Sequence, residues 1–174
     1  MAYSVQLDET WLDYPSPDGE AVIVYFCGCE HHCPGCHSPL LQQDYEYAES
    51  KEQILEKIRT YAFKVYTNRL VFLGGDPLYS KNIELVKYLV GNLSDEYDIC
   101  IFTGYDINYV KDLNIRGVKF WKCGTFDINN SRKSEKNDEE YVLASPNQNF
   151  YDGLYNLISN NGILKFNKKG IKNV

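Results

Sequence analysis

Cys29, Cys33 and Cys36 stand with three and then two residues between them, in a loop that also holds Pro34 and Gly35. Thiolates this close in sequence can converge on one centre. The distribution is uneven: of 6 Cys, four (Cys27 with these three) fall between positions 27 and 36, and all 3 His (His31, His32, His37) sit in or beside that run. Bridges that staple a fold join distant segments of small exported chains, so a tight cluster reads as metal or redox chemistry in a reducing compartment. Two chemistries fit the spacing. A cubane iron-sulfur cluster normally takes four thiolates, and a three-cysteine loop would leave one iron open to an exogenous chelating ligand. A structural zinc site would be completed instead by Cys27 or by one of the three histidines. Such zinc sites usually pair two ligand doublets, whereas Cys100 and Cys123 are single and far apart.

The elements around the loop are those of βα units. Ala21-Val22-Ile23-Val24-Tyr25-Phe26 is continuously apolar and β-branched, as a strand buried on both faces of a parallel sheet requires. Ser50 with Gln53 has capping-box spacing and predicts a helix start, with Ile54, Leu55, Ile58, Ala62 and Val65 as its buried stripe. A strand over 70–73 runs into Gly74-Gly75-Asp76-Pro77. Ser80 is then the expected cap of a helix that turns Ile83, Val86, Val90 and Leu93 inward. A strand over 99–102 ends at Thr103-Gly104-Tyr105, and a short helix over 106–113 leads to a strand over 118–121. Ligands of parallel α/β sheets lie outside the carboxyl ends of the strands, where the cysteine loop, the Gly-Gly-Asp-Pro loop and the Thr-Gly-Tyr turn all fall. Residues 1–20 read as an irregular lead-in ending in a Pro15, Pro17 and Gly19 turn, 129–140 as a solvated polar loop, and 165–174 as a frayed basic tail.

The 174 residues suggest a single domain, and 44% hydrophobic content suffices for one core without disulfides. With 18 Lys+Arg against 24 Asp+Glu the net charge is -6, the wrong sign for a nucleic-acid scaffold. No apolar run is long enough to span a bilayer and the first residues lack a signal-peptide pattern, so the expected location is the cytoplasm.

Cys29-Glu30-His31-His32-Cys33-Pro34-Gly35-Cys36-His37, joined to Gly74-Gly75-Asp76-Pro77-Leu78, resembles the radical S-adenosylmethionine superfamily. Within it, the pattern is similar to the activating proteins of anaerobic ribonucleotide reductases, which also tend to carry Pro-Gly between the second and third cysteines. Thr103-Gly104-Tyr105 resembles a turn of that family, and Ser145-Pro146-Asn147-Gln148 its late Ser-x-Asn-Gln, so the likeness covers about residues 20–150. Some positions depart from it. Cys123-Gly124-Thr125-Phe126 has a thiol where the family often has an acid, no Arg follows Gln148, and Ser16-Pro17-Asp18-Gly19 replaces a Gly-Pro-Gly-type stretch. Cys27 and Cys100 then read as small buried strand residues.

The resemblance implies a small partial (βα) barrel of the radical S-adenosylmethionine type, with a mostly parallel sheet. Cys29, Cys33 and Cys36 would ligate a [4Fe-4S] cluster, and S-adenosylmethionine would take the fourth iron and be cleaved to methionine and a 5′-deoxyadenosyl radical. Gly74, Gly75 and Asp76 would face the cofactor's ammonium group, Gly35 and His37 its adenine, and Thr103 joins these cofactor-binding residues. No catalytic residue is expected beyond cluster and cofactor. The implied protein substrate is the large subunit of an anaerobic ribonucleotide reductase, which would gain a glycyl radical, and the implied electron donor is a low-potential flavodoxin or ferredoxin. Two other readings remain: a deazaguanine-synthase-like enzyme acting on a small metabolite, and a zinc-binding interaction module without catalysis.

Overall fold

The computed structural model describes residues 2–18, 20–44 and 49–172. Its frame is a six-stranded sheet: β1 (Val5–Thr10), β2 (Ala21–Phe26), β3 (Arg69–Gly74), β4 (Asp98–Thr103) and β5 (Phe120–Cys123) in order, closed off by β8 (Asn149–Asp152). The β2, β3, β4 and β5 strands are mutually parallel, and both edge strands are antiparallel to their neighbours. The fold is therefore mixed α/β with a mostly parallel sheet, as expected. The helices α1 (Lys51–Lys64), α2 (Ile83–Leu93) and α3 (Ile107–Leu113) are the crossovers between the parallel strands.

Side chains alternate across each strand and so divide the core in two. Val22, Val24, Phe26, Leu70, Phe72, Ile99, Ile101 and Trp121 pack with Ile54, Ile58, Leu85, Leu89 and Val110 of the helices. Each fully buried aliphatic or aromatic side chain there contributes about 1.5–3 kcal/mol of hydrophobic stabilisation. On the opposite face Ala21, Val71, Cys100 and Phe150 pack under a small antiparallel sheet that supplies Tyr141, Leu143, Leu164 and Phe166. Its strands are β6 (Glu135–Lys136), β7 (Glu140–Val142), β9 (Ile163–Asn167) and β10 (Gly170–Ile171), in the order β10-β9-β7-β6. Cys27 and Cys100 are buried, as expected, and Cys123 is buried with the helix-side core.

The α1 start is as expected: Ser50 Oγ accepts from Gln53 N–H at 3.2 Å, and Gln53 Oε1 accepts from Ser50 N–H at 2.8 Å. Val65 is that helix's C-cap and, partly buried, still packs against the same core as the stripe. Four expectations are corrected. The lead-in contains a strand, β1, whose residues Val5–Thr10 pair along their whole length with β2; Gly19 lies outside the described residues. Asn82, not Ser80, precedes α2, and its side-chain amide is used elsewhere, donating to the carbonyls of Cys27 (2.9 Å) and Asp76 (3.0 Å). The polar stretch 129–140 is no plain loop, because β6 and the start of β7 lie in it and Lys136 Nζ donates to Tyr14 O at 3.1 Å. The basic tail is likewise paired: β9 and β10 form a hairpin and Lys165 bonds Glu140, with residues 173 and 174 outside the described residues. Among the described residues no helix is long and apolar enough to cross a membrane.

Candidate functional site

The residues of the parallel strands that face away from the helices form a row near the carboxyl ends. Tyr25 lies beside Leu73, and Phe102 beside Lys122. These four floor a cavity of about 450 Å³, within the size range of small-molecule sites. Cys29, Cys33, Cys36 and His37 line it from the loop after β2, Gly74, Gly75 and Asp76 from the loop after β3, and Thr103 and Gly104 from the turn after β4. The three loops singled out in the sequence thus meet at one edge. Gly35 is the exception: it is not in the cavity wall and lies against Ile128. The small sheet adds Lys136 and Tyr141 and the connection just before β8 adds Gln148, and the exposed Leu12, Thr125 and Glu135 stand at the rim.

The cysteine loop is fixed at both ends. Gly28 N–H donates to Leu41 O at 2.8 Å and Cys29 N–H to Gln42 O at 3.2 Å, so the loop leaves and returns side by side. The Gly-Gly-Asp loop docks beneath it, with Gly75 N–H on Phe26 O and Asp76 N–H on Gly28 O, both 2.8 Å. Only glycine allows this approach. A Cβ at position 75 would lie 2.3 Å from Gly28 O and 2.4 Å from Leu41 O, and Gly74 has φ +122 with Phe26 O 2.4 Å from where a Cβ would be.

Asp76 is 1% exposed and its carboxylate is fully engaged. It accepts from Leu78 N–H (2.8 Å), Thr103 Oγ1 (2.9 and 3.0 Å), Gly104 N–H (2.8 Å) and, with that ring nitrogen carrying its proton, His31 Nε2 (2.8 Å). One carboxylate therefore ties the loops after β2, β3 and β4 together. Thr103 Oγ1 in turn accepts from Tyr105 N–H at 3.2 Å.

The three cavity thiols differ in surroundings. Burial pushes the Cys29 thiol above its ordinary pKa, while the backbone N–H groups of His31 and His32 pull it back. Cys36 Sγ accepts from Ser38 N–H at 3.4 Å. No fourth cysteine shares the wall: Cys27 Sγ contacts Ser4 Oγ at 3.8 Å, and Cys100 and Cys123 are buried. Among the described residues no three His, Cys, Asp or Glu side chains are gathered tightly enough for a single metal ion. Three thiols spread around a small-molecule cavity, held by loops that donate N–H groups to sulfur, fit a thiolate-ligated cluster with one iron left open. His37 is at the same wall with its ring 5.4 Å from that of Phe126.

Lys122 was not singled out in the sequence. It shares a face with Phe120 and alternates with Trp121 and Cys123 on a strand of otherwise apolar residues, and that period of two was the available signal of a lysine turned into the molecule. Burial lowers its pKa to about 8.

Over 106 residues the chain is 28% identical to the "Anaerobic ribonucleoside-triphosphate reductase-activating protein" of Enterobacteria phage T4, covering 59% of this chain and 68% of the relative. Residues 17–151, which hold the three loops and every strand lining the cavity floor, match the 4Fe-4S single cluster domain. By that match, across well over half its length, the chain belongs to the 4Fe-4S single cluster domain family.

Proposed function

We propose that this protein is an iron-sulfur activating enzyme of the radical S-adenosylmethionine type. In this account Cys29, Cys33 and Cys36 hold the cluster, S-adenosylmethionine binds at its open iron, and the substrate is a glycine in the large subunit of an anaerobic ribonucleotide reductase. One observation carries it: three thiols and no fourth cysteine in the wall of a cavity at the carboxyl ends of parallel strands. The choice of reductase rests on what the phage relative is named for. Held by these three thiolates, a reduced cluster would supply the single electron for reductive cleavage of S-adenosylmethionine, the chemistry needed to remove a hydrogen atom from the glycine.

The chain's own residues bind and shield. Gly74 and Gly75 present bare backbone to the cavity, so their carbonyls can receive the cofactor's ammonium group. Asp76 and Thr103 act by locking three loops in one arrangement, with the Asp76 charge kept nearby. His37, next to the third cysteine and in the cavity wall, is the residue of that loop that would meet the adenine, whereas Gly35 lies outside the wall and has no such role. Tyr25, Leu73 and Phe102 give the floor an apolar surface that excludes water, which a carbon radical needs. The four parallel strands serve as the partial barrel, the whole chain as one catalytic domain, and the open rim as the place where the reductase completes the enclosure. A low-potential flavodoxin or ferredoxin supplies the electron, in a reducing, oxygen-free cytoplasm.

The test is anaerobic. Reconstituted protein given reductant, S-adenosylmethionine and reductase should yield a glycyl signal in paramagnetic resonance. A sample that cleaves S-adenosylmethionine yet never yields that signal would remove the reductase as substrate.

A further inference from the structure

The cavity contains two ammonium groups, and only one is accounted for. Lys136 is held by Tyr14 O. Lys122, on the floor among Phe102, Cys33 and Gly124, has no carboxylate within salt-bridge distance and no side-chain hydrogen bond among the described residues. Its ring contact is with Phe102, whose centroid lies 5.4 Å from Nζ, and Cys33, Cys100, Cys123 and Asp76 are its electrostatic neighbours. The acids in the same wall do not serve it. Asp76 is taken up by four other groups, Asp13 accepts from Thr10 Oγ1 at 2.6 Å, and Glu135 is exposed at the rim.

A partly buried charge without a partner costs stability, and proteins usually pair or hydrate such groups. An unpaired cation retained on the floor of a ligand-sized cavity calls for an anion carried by the ligand. Resting on the activase reading above, the ligand is S-adenosylmethionine, which has a single anionic group, the carboxylate of its methionine half. We propose that Lys122 is the carboxylate-binding residue of this cavity, its ammonium pairing with the methionine carboxylate of S-adenosylmethionine.

The pairing can be measured by binding alone, in cluster-loaded protein under anaerobic calorimetry. Lys122→Met keeps the length and apolar stem but removes the charge. Its affinity for S-adenosylmethionine should fall about 10- to 100-fold, the range of a charge-assisted hydrogen bond. Decarboxylated S-adenosylmethionine should bind wild type and Lys122→Met alike, within about twofold, and Lys122→Arg should recover most of the affinity for the intact cofactor. Removing an unpaired partly buried charge should also raise the melting temperature of the ligand-free protein, whereas a lysine needed only for packing would lower it. Unchanged affinity of Lys122→Met, or equal losses for both ligands, would overturn the proposal. So would a shift of the cluster's midpoint potential with affinity intact, because the cation would then serve the cluster. Wild-type protein that binds no S-adenosylmethionine would instead overturn the activase reading, and this inference with it.

Discussion

Replacing Asp76 tests whether one buried carboxylate holds the site together. Asp76→Ala leaves four donors without their acceptor: Leu78 N–H, Gly104 N–H, the Thr103 hydroxyl and His31 Nε2. The His31 side chain is 13% exposed and can turn to water, and the hydroxyl can rotate. The two backbone N–H groups cannot move without their loops, and each orphaned donor costs about 1–3 kcal/mol. Two such donors sum to about 2–6 kcal/mol, a range that the cost of breaking a buried charged pair narrows to about 3–5 kcal/mol. For a chain of this length about 2–4 °C of melting temperature goes with each kcal/mol, so the apo protein should melt roughly 6–20 °C lower. Asp76→Asn keeps one oxygen for these donors and should fall between wild type and Asp76→Ala. Because His31 is the tether from Asp76 to the cysteine loop, Asp76→Ala should also take up much less iron on anaerobic reconstitution. Thermal unfolding and iron analysis of the three proteins side by side make the test. If Asp76→Ala melts within about 2 °C of wild type and loads the same iron, the carboxylate is not what locks these loops.

Gly75→Ala forces a methyl group against the carbonyls of Gly28 and Leu41; overpacking against backbone should cost about 1–3 kcal/mol or more and lower cluster content, both visible in melting and iron assays. Ser50→Ala removes the hydroxyl that accepts from Gln53 N–H while leaving the Ser50 N–H bond to Gln53 Oε1, costs about 1 kcal/mol and should leave iron content unchanged, which makes it a control for stability effects remote from the site. The Lys122 pKa is depressed on folding, so between about pH 8 and the ordinary lysine range the unfolded chain holds more protons than the native one. Wild-type stability should therefore rise relative to Lys122→Met as pH climbs through that window, and parallel denaturation curves at pH 7 and pH 10 that differ by the same amount would refute it.

The parallel half of the fold was legible because its strands are buried on both faces, and such strands are continuous β-branched runs that composition alone reveals. β1 was missed for the opposite reason. Val5–Thr10 is an edge strand with only its first and last residues buried, so its sequence has no apolar run, and what makes it a strand is the register with β2. The short β6–β7 and β9–β10 hairpins are joined into one sheet only by the β7–β9 pairing across the long connection from Val142 to Ile163, and a polar stretch such as 129–140 gives no local sign of it. At the site, spacing brought out the cysteines and the Gly-Gly-Asp-Pro loop, and the chain's geometry does gather them. It could not tell that Gly35 stands outside the cavity wall, nor that Asp76 spends its oxygens on the loops. Asn82 took the place expected of Ser80 because bonding two carbonyls of the site loops outweighs a cap. Cys123, where the family often has an acid, faces the helix-side core, and burial pushes its thiol pKa up to about 12. A carboxylate there would meet the same desolvation.

Metal analysis after anaerobic purification and reconstitution distinguishes a three-cysteine cluster from a structural zinc. The account predicts brown protein with about four irons per chain, a paramagnetic signal on reduction that changes when S-adenosylmethionine is added, and loss of cluster in each of Cys29→Ala, Cys33→Ala and Cys36→Ala, while Cys27→Ala keeps it. One tightly held zinc with no iron, or a full cluster surviving any of the first three substitutions, would contradict it.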